Sequence, residues 1–366
     1  MINRIACVIN KISTTGGAER VMTVLCNEFA NRNKDVTLIV QESMEKAYPL
    51  DDRVKMVNTP VRLRIPALRF IIRLFKLRTQ LKKCKPDVII SFMTEMNIAT
   101  LLMSIGLKVP VIVSERIDPR VKKGIKAFVR KLVYPLAKGY VFQTENAMNY
   151  FSESIREKST VIANPLPNNL PVKTEYEPTY EIISVGRLES QKNHEMLIKS
   201  FYDFKKTHKQ YKLKIYGTGS YYEKLNCLIN EFALNDSVSL MGSIPEIADR
   251  LKNSDIFVLS SDFEGMPNSL AEAMAIGLPC ISTDCPCGGP AYLIQNMENG
   301  ILIPVNDKNE LTKALCLLAG NRELAYKLGN KAKEIREKLS VNIIVDKWLE
   351  FCEKIVGGEH AIISSK

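Results

Sequence analysis

The sequence has few of the residues that build metal centres or disulfide frameworks. It contains only three histidines among 366 residues, and no Asp-x-Asp pair occurs in it. Its nine cysteines are scattered, and the three between positions 280 and 287 have no histidine nearby and no recognisable zinc-binding spacing. We therefore expect a cytosolic protein with reduced thiols and without a structural zinc site.

Long apolar runs are absent as well. No run approaches the about 20 residues that a membrane-spanning helix needs, and the strongest candidate, at 71–72, is flanked by Arg69 and Arg73. The apolar stretch at 5–9 is too short for a secretory signal and instead predicts a buried strand. The apolar content of 46% is high enough for well-buried cores, and the length predicts two domains.

Acidic residues are scarce in the first half of the chain. Residues 1–170 carry 28 Lys and Arg against 14 Asp and Glu, which is +14, and residues 171–366 carry 23 against 26, which is −3; together they give the net charge of +11. The first half therefore fits a polyanion or an anionic surface. No helix-turn-helix, RNA-binding sheet motif or zinc finger is recognisable, so we expect no nucleic-acid partner.

Short apolar runs alternate with helical patterns in both halves, which predicts parallel strands covered on both faces. A proline-rich stretch from 164 to 178 predicts a linker. We therefore predict an α/β fold of two doubly wound Rossmann-like domains that face a cleft, at 1–170 and 171–340, then a helix at 341–356 that packs back toward the first domain and a loose tail at 357–366. The predicted strands are 5–9, 35–40, 88–92, 109–114 and 139–143 in the first half, and 181–185, 212–216, 238–241, 256–259, 279–282 and 300–303 in the second.

Glu264 and Glu272 are the most informative pair of residues. Glu264 stands in a Gly/Pro loop, and Glu272 is predicted in the first turn of a helix whose N-cap is Asn268 and which ends at Gly277. A helix start attracts an anion such as a diphosphate, and two carboxylates beside it can accept hydrogen bonds from sugar hydroxyls. The alternative is that Glu272 only complements the helix dipole and that Glu264 is a solvated loop residue.

Several motifs in this order resemble family 4 of the glycosyltransferases, retaining enzymes of the GT-B fold. The resemblance covers nearly the whole chain and is closest to bacterial enzymes that extend a glycan on a polyprenyl diphosphate. The motifs are Gly16-Gly17-Ala18-Glu19-Arg20, Ser114-Glu115-Arg116, Val185-Gly186-Arg187-Leu188, Gln191-Lys192-Asn193, Gly217-Thr218-Gly219 and the pair Glu264 and Glu272.

The resemblance implies a role for each of these segments. Arg187 and Lys192 stabilise the departing nucleoside diphosphate, and Glu264 binds hydroxyls of the transferred sugar, so we take these three residues as catalytic. Glu272 binds the ribose of a nucleotide sugar whose nucleotide is expected to be UDP. The donor-binding residues are Gly17, Gly217, Gly242, Ser243, Ile244, Gly265, Met266, Pro267, Asn268, Ser269, Leu270 and Glu272.

No metal or other cofactor is expected. The other major glycosyltransferase fold holds its metal ion with an Asp-x-Asp pattern, and here Arg187, Lys192 and helix-start amides can replace the ion. The mechanism implied is front-face transfer with retention, in which a donor phosphate oxygen takes the acceptor proton.

The acceptor side is predicted in the basic first half. Arg116 stands where many relatives carry a histidine, and a guanidinium cannot serve as a base near neutral pH. We expect Arg116 and Arg20 to contact a lipid-linked phosphate or sugar hydroxyls, and an ion pair of Arg116 with Glu115 or Asp118 is the structural alternative. Residues 53–86 carry 11 basic and no acidic side chains, and 119–144 carry seven and none.

Within the first of these stretches, Arg69, Arg73 and Lys76 alternate with apolar residues as in a basic amphipathic helix. Such helices bind anionic membrane surfaces, so we predict a peripheral protein at the cytoplasmic face of the cell membrane. The alternative is a helix that packs on the domain's own sheet.

The predicted function is transfer of a hexose or N-acetylhexosamine from a nucleotide sugar to a lipid-linked glycan acceptor during cell-surface polysaccharide assembly. The alternatives are a GT-B epimerase or hydrolase that uses no acceptor, a basic nucleic-acid-binding protein, and a noncatalytic sugar-binding module.

Overall fold

The computed structural model describes residues 2–13, 16–42, 44–61, 65–175, 177–244 and 247–358, without the side chains of residues 66 and 67. The chain forms two compact units: the first comprises Met1–Pro165 and Val341–Lys366, and the second comprises Leu166–Ser340. The division falls inside the proline-rich stretch, before the predicted boundary at 170. Residues 359–366 of the predicted loose tail lie outside the described residues.

The first unit is built around a parallel sheet of seven strands in the order β3-β2-β1-β4-β5-β6-β7. The strands are β1 (Arg4–Ile9), β2 (Asp35–Val40), β3 (Lys55–Asn58), β4 (Val88–Phe92), β5 (Val111–Ser114), β6 (Gly139–Phe142) and β7 (Ser159–Val161). The helices are α1 (Gly17–Asn31), α2 (Pro66–Cys84), α3 (Thr94–Ser104), α4 (Ile125–Val133), α5 (Glu145–Asn149), α6 (Glu153–Arg156) and the last helix of the chain, α15 (Val341–Gly357), with 3₁₀ turns at Pro119–Val121 and Tyr134–Leu136.

The predicted inner strands are present, and two strands at the ends of the sheet were not predicted. Every residue of β4 is buried, and each of β1 and β2 is buried after its first residue. By contrast, β3 and β7 lie at the two edges and contain no fully buried residue. An edge strand needs fewer apolar side chains, so its sequence pattern is weak.

The second unit repeats this arrangement with six parallel strands in the order β10-β9-β8-β11-β12-β13. The strands are β8 (Glu181–Val185), β9 (Lys212–Tyr216), β10 (Val238–Leu240), β11 (Ile256–Leu259), β12 (Cys280–Thr283) and β13 (Ile301–Ile303). The helices are α7 (His194–Lys205), α8 (Tyr222–Glu231), α9 (Ile247–Lys252), α10 (Asn268–Ile276), α11 (Gly289–Leu293), α12 (Lys308–Gly320), α13 (Arg322–Ala332) and α14 (Ile335–Lys338), with a 3₁₀ turn at Ser190–Lys192.

Each sheet reverses its winding direction once, and the reversal marks where ligands bind in such folds. In the first unit β1 pairs with both β2 and β4, and in the second β8 pairs with both β9 and β11. The loops that leave two such neighbouring strands diverge to opposite faces and leave a crevice at the carboxyl edge of the sheet. The α/β prediction with two Rossmann-like sheets is confirmed.

Candidate active site

A buried ion pair lies at the winding reversal of the second unit. Lys192 follows β8 and Glu264 follows β11, and these two strands are neighbours. The Lys192 ammonium donates to a Glu264 carboxylate oxygen at 2.5 Å, and Ser261 donates its hydroxyl to the same oxygen at 2.7 Å. The two charged side chains are only 13% and 9% exposed. The alternative that Glu264 is a solvated loop residue is therefore wrong.

Three hydrogen bonds to backbone carbonyls join the two loops that carry this pair. The Asp262 amide donates to the Gln191 carbonyl at 2.9 Å, and the Gln191 side chain donates to the Phe263 carbonyl at 2.8 Å. The Ser260 hydroxyl donates to the Lys192 carbonyl at 2.8 Å. The loops 190–193 and 260–264 are thus held as one surface, which we call the clamp. It fixes both charges with respect to the strands beneath them.

Asn193 anchors the clamp to the start of α7. Its backbone is left-handed, with φ 45° and ψ 44°, and its side-chain oxygen accepts the Met196 amide at 3.2 Å. Its side-chain amide donates to Asp262 at 2.8 Å and to Asn306 at 2.6 Å. One residue therefore caps α7 and also holds the loop after β11.

A neutral histidine lies directly beneath the clamp. His194 is the first residue of α7 and is 3% exposed. Burial, reinforced by the Lys192 charge, lowers the pKa of this imidazole to about 3, so it is uncharged at neutral pH. His194 therefore adds no positive charge beside Lys192 at neutral pH.

Helix α10 begins one residue earlier than predicted. Pro267 is the N-cap residue and Asn268 is the first helical residue, so the assignment of Asn268 as N-cap is wrong. Glu272 consequently lies beyond the first turn, where no acidic residue occurs, and it is 7% exposed. A complement to the helix dipole is effective mainly in the first turn, which weakens that alternative for Glu272. The predicted end is confirmed, because Gly277 is the left-handed C-cap at φ 103°.

The loop before α10 is packed backbone to backbone against the start of α11. A Cβ atom on Gly289 would lie 1.7 Å from the Gly265 carbonyl oxygen. Gly265, Met266, Pro267 and Leu270 are buried, whereas Asn268 and Ser269 are half-buried. The predicted donor segment therefore presents its helix start, rather than its apolar side chains, to the outside of the unit.

The remaining predicted donor residues follow β9 and β10. The Gly217 amide donates to the Gly242 carbonyl at 2.8 Å, and a Cβ on Gly217 would lie 1.9 Å from the Gly186 carbonyl oxygen. Through these two contacts, Gly217 joins the ends of three neighbouring strands, β10, β9 and β8. Ser243 is exposed and Ile244 is half-buried. These residues lie along one edge of the sheet with the clamp.

Arg187 lies at the same edge and is exposed to solvent. Its guanidinium donates to the Gln191 side chain at 3.3 Å. It therefore lies beside the clamp but takes no part in the buried ion pair. An exposed cation with a single side-chain contact can approach an anion without disturbing the clamp.

The first unit carries the other predicted residues. Gly17 opens α1 and is exposed, and the N-cap residue is Gly16. A Cβ on Gly16 would lie within 3.1 Å of the Glu19 carboxylate, so Glu19 folds back over the helix start. Burial lowers the pKa of Arg20 to about 10, and Arg20 remains charged at neutral pH.

Arg116 is a buried cation without a carboxylate partner among the residues that the structure describes. Its guanidinium donates to Asn164 at 2.5 Å and to Ser114 at 3.3 Å and lies 4.4 Å from the centre of the Phe92 ring. Its Nε is buried without a hydrogen-bond partner in the described structure. Burial lowers its pKa to about 9. The alternative of an ion pair with Glu115 or Asp118 is wrong.

Glu115 and Asp118 have other partners. Glu115 accepts from Thr94 at 2.9 Å and from the Tyr134 hydroxyl, while Asp118 pairs with Arg120 at 3.4 Å. Burial raises the pKa of Glu115 in spite of these donors. Glu115 therefore points into the unit, and of the Ser-Glu-Arg motif only Arg116 keeps donor capacity for a ligand.

Helix α2 packs on its own unit with its C-terminal half only. Leu77 and Leu81 are buried, whereas Phe70, Ile71 and Phe75 are 58%, 47% and 64% exposed. Arg69 is exposed, Arg73 is half-buried, and Lys76 donates to the Pro60 carbonyl at 2.5 Å. The alternative of a helix that packs on its own domain therefore holds for the C-terminal half, and membrane binding by the exposed N-terminal half stays a prediction.

Neither a candidate metal site nor a membrane-spanning helix is found among the described residues. Among them, no group of three or more His, Cys, Asp and Glu side chains is placed to hold a metal ion. Likewise, the helices that the structure describes include none with the length and apolar character to cross a bilayer.

Comparison with known proteins decides the family. Residues 15–168 match the family described as Glycosyltransferase Family 4, and residues 167–335 match Glycosyl transferases group 1. The chain belongs to glycosyltransferase family 4. The predicted resemblance is confirmed by these two matches, which meet near the division between the two units.

Two of the curated relatives of this glycosyltransferase are named for bacterial glycans. One, from Campylobacter jejuni, is named as an α-1,4-N-acetyl-D-galactosaminyltransferase acting on a GalNAc-GalNAc-diNAcBac-diphospho-undecaprenol; it is 26% identical over 93% of this chain and 96% of its own length. Another is the amylovoran biosynthesis glycosyltransferase AmsD of Erwinia amylovora, 28% identical over 94% of this chain and 98% of its own length.

Solved structures of glycosyltransferases share the fold. The crystal structure of HepE from Anabaena in complex with UDP aligns with a TM-score of 0.79 over 95% of this chain and 99% of that one. At 16% sequence identity, this similarity supports the architecture alone. The predicted GT-B fold class, with two parallel-sheet Rossmann-like domains, is confirmed.

Three parts of the site were missed by reasoning from the sequence. Ser261 shares the Glu264 oxygen with Lys192, Gln191 joins the two loops, and Asn193 holds Asp262. From the sequence, the Gln191-Lys192-Asn193 run is recognisable only as a motif of the family. Its one local signal was an asparagine directly before a helical pattern, which is typical of an N-cap.

Proposed function

We propose that this glycosyltransferase moves a hexose or N-acetylhexosamine, with retention of configuration, from a UDP-linked sugar to a lipid-linked glycan at the cytoplasmic face of the membrane. The product belongs to the assembly of a cell-surface polysaccharide or lipid-linked oligosaccharide. The proposal is supported by the site geometry of the second unit and by relatives that are named for lipid-linked acceptors or for exopolysaccharide biosynthesis.

The observation that carries the proposal is the Lys192–Glu264 pair at the winding reversal. Departure of a nucleoside diphosphate places new negative charge on a phosphate oxygen as the glycosidic bond breaks. Lys192 and the neighbouring Arg187 can stabilise this charge more strongly in the transition state than in the ground state. The start of α10 adds the positive end of a helix dipole for the same anion.

Glu264 is then the residue that orients the transferred sugar. Its carboxylate accepts hydrogen bonds from Lys192 and Ser261. When a diphosphate takes over the Lys192 ammonium, the carboxylate gains the capacity to accept sugar hydroxyls. Glu272, nearly buried one turn into α10, is proposed to accept the ribose hydroxyls.

The transfer step needs no protein base in this scheme. The acceptor hydroxyl attacks the anomeric carbon from the face that the diphosphate leaves, the bond from carbon to diphosphate oxygen breaks, and a phosphate oxygen takes the hydroxyl proton. No metal ion is required, because the cations Arg187 and Lys192 neutralise the leaving group. Activity abolished by EDTA and restored by Mn²⁺ would contradict this part of the proposal.

On the acceptor side, Arg116 is the proposed contact for the lipid-linked diphosphate, supported by its lack of a carboxylate partner in the described structure. Arg20 is proposed to act with it. The basic helix α2, through Arg69, Arg73 and Lys76, is proposed to attract the protein to anionic lipid, each cation near the surface contributing about 1 kcal/mol.

Donor binding is the first test. The protein is incubated with a panel of UDP- and GDP-sugars, and the thermal unfolding midpoint is measured. A donor at 100 times its Kd adds about 2.7 kcal/mol of stability, which raises the midpoint measurably. Protection by no nucleotide sugar and by no nucleoside diphosphate would reject the proposal.

Transfer is the second test. The protecting donor is then supplied with undecaprenyl-diphosphate glycans, and the anomeric configuration of the product is read by NMR. A product whose anomeric configuration matches that of the donor supports retention. Release of free sugar at the same rate with and without acceptor would instead support the hydrolase alternative.

A further inference from the structure

An apolar face of helix α4 has no cover in the described structure. Ile125, Phe128 and Leu132 are 83%, 63% and 61% exposed, and Leu136 in the following 3₁₀ turn is 48% exposed. The spacings of three and four residues place Ile125, Phe128 and Leu132 on one side of the helix. We call these four residues the α4 face.

The orientation of α4 is fixed by its other side. Arg130 and Val133 are 3% and 9% exposed and stand five positions after Ile125 and Phe128, which is nearly the opposite side of a helix. The Arg130 guanidinium donates to the Pro119 carbonyl at 3.1 Å and lies 5.1 Å from the centre of the Phe151 ring. The helix therefore cannot bury its apolar face by rotating about its axis without breaking these contacts.

Four large apolar side chains in one row differ from the scattered exposed residues of the second unit. In the second unit, exposed residues such as Tyr222 and Leu317 stand singly on separate helices. Single exposed apolar residues are normal on protein surfaces, whereas a contiguous patch marks a surface that binds something.

The charges around the α4 face indicate the chemistry of its partner. Lys123, Lys131 and Lys138 are exposed, and residues 119–144 contain no acidic side chain. Two nearby acidic residues are paired and add no net negative charge there: Glu95 of α3 with Lys122 at 2.7 Å and Lys126 at 3.1 Å, and Asp118 with Arg120 at 3.4 Å. The partner must therefore be apolar in its interior and negative at its surface.

We propose that α4 is a membrane anchor that inserts Ile125, Phe128, Leu132 and Leu136 among the acyl chains of an anionic bilayer while its lysines contact the lipid headgroups. A helix with an apolar face and basic borders lies in the bilayer interface, and its affinity grows with the apolar area it buries. The inference extends the proposed peripheral location from α2 to α4 and does not depend on the donor site.

The two helices have different expected roles on the bilayer. Both contact α3: the α2 residue Arg78 donates to the Met103 and Ile105 carbonyls, and α4 pairs with Glu95. α2 combines its exposed Phe70, Ile71 and Phe75 with cations, whereas the α4 face is apolar throughout. Attraction by α2 should therefore weaken with added salt, whereas insertion of α4 should resist it.

Substitution of the α4 face tests the anchor. The full chain and its Ile125→Ser/Phe128→Ser/Leu132→Ser variant are sedimented with vesicles of equal amounts of phosphatidylglycerol and phosphatidylethanolamine at high salt. We expect the variant to bind about a hundredfold more weakly, because three large apolar side chains no longer leave water. Tyr222→Ser/Leu317→Ser/Ile343→Ser, which removes three residues 45%, 40% and 42% exposed, should bind like the parent.

A second comparison separates the two helices. Arg69→Gln/Arg73→Gln/Lys76→Gln should weaken vesicle binding about a hundredfold at low salt and much less at high salt, by the estimate of about 1 kcal/mol for each cation. A charge-matched control, Lys206→Gln/Lys224→Gln/Lys313→Gln in the second unit, should change it little. If each helix variant lost the same amount of vesicle binding at low and at high salt, α2 and α4 would not have different roles on the bilayer.

Tryptophan fluorescence provides a direct readout of insertion. The sequence has one tryptophan, Trp348, which is fully buried and should not respond to lipid. Phe128→Trp should therefore report residue 128 alone, and we expect its emission to shift to the blue when the vesicles are added. Unchanged emission under conditions where the protein sediments with vesicles would overturn insertion.

Two further outcomes are distinguishable. Concentration-dependent dimerisation that the triple serine variant abolishes, with vesicle binding unchanged, would show that the α4 face binds a second copy of the chain and would overturn the anchor. Thermal protection by a nucleotide sugar should be the same in the parent and the triple variant. Its loss in both would reject the proposed function while leaving the vesicle result to decide the anchor.

Discussion

The cations proposed for function have opposite surroundings in the two units. In the second unit, Lys192 is paired with Glu264 inside a clamp of hydrogen-bonded loops. In the first unit, Arg116 is buried against the Phe92 ring, the Asn164 side-chain amide and the Ser114 hydroxyl, with no carboxylate partner in the described structure. We infer that Lys192 must exchange one anion for another when a ligand arrives, whereas Arg116 is already prepared for one. The difference separates a site held together by its own charges from one that a ligand completes.

The largest effect should come from breaking the clamp's ion pair. Lys192→Met leaves Glu264 buried without its cation, which should cost about 3 kcal/mol of unfolding free energy and lower turnover a hundredfold or more. Urea unfolding and transfer assays measure the two effects. Lys224→Met, which breaks the more exposed pair with Glu195, should cost less than about 1 kcal/mol.

The double variant Lys192→Met/Glu264→Gln sharpens this result. It removes both charges, so it should recover most of the lost stability without recovering activity. Recovery of activity together with stability would mean that the pair only supports the fold.

A smaller effect is expected where two loops of the second unit touch through glycine. Gly289→Ala places a Cβ atom 1.7 Å from the Gly265 carbonyl oxygen, so the loop before α10 must move. We expect a loss of about 2 kcal/mol of stability and weaker protection by UDP, measured by thermal unfolding. Gly320→Ala, with open space around the new atom, should be neutral or slightly stabilising.

The buried histidine of the second unit predicts a pH dependence. Its folded-state pKa of about 3 lies below the unfolded value of about 6.5, so between these values the unfolded chain binds a proton that the folded chain does not. Stability should therefore fall with decreasing pH, by up to about 1.4 kcal/mol per pH unit between about pH 6 and 4.

The His194→Gln variant isolates this contribution. Burial raises the pKa of Glu115 in the first unit, which gives a slope of the opposite sign that both proteins share. The difference between the parent and His194→Gln in urea unfolding at several pH values cancels that slope. Parallel pH profiles would show that His194 titrates alike in the folded and unfolded states.

The smallest effect on stability should come from Arg116, although Arg116 is as buried as Lys192. Arg116→Met removes a cation that has no carboxylate partner in the described structure, so the unfolding free energy should change by less than about 1 kcal/mol. Transfer to a lipid-linked acceptor should fall while thermal protection by the donor persists. A loss of several kcal/mol would show that Arg116 holds the first unit together and would remove the contrast between the units.

Much of the fold is predictable because a parallel strand that is buried on both faces consists of a continuous run of apolar residues. The bounds of β2, β4, β8, β9 and β11 are those predicted. The edge strands β3 and β7 escape this signal because little of either is buried. Helix bounds depend on single residues, as the shift of the N-cap from Asn268 to Pro267 shows.

The site was predictable as a set of motifs and not as a set of contacts. Lys192 and Glu264 were named, but the sequence carries no sign that they touch, since 71 intervening residues separate them. The roles of Asn193 and Ser261 depend on a left-handed backbone and on a loop that returns to it. The apolar face of α4 was hidden for another reason: an amphipathic pattern reads the same whether its apolar side is covered or exposed.

The last helix has a consequence for how the chain is made. Trp348 of α15 is fully buried and lies 5.8 Å from Phe92, and Asp346 pairs with Arg32 at 2.8 Å, so the first unit contains residues from both ends of the sequence. Because α15 follows the second unit in the sequence, the first unit cannot complete its core until the whole second unit has been synthesised. The half that begins synthesis first is therefore completed last, and a released chain that ends at Ser340 should be digested by protease in the first unit while the second resists.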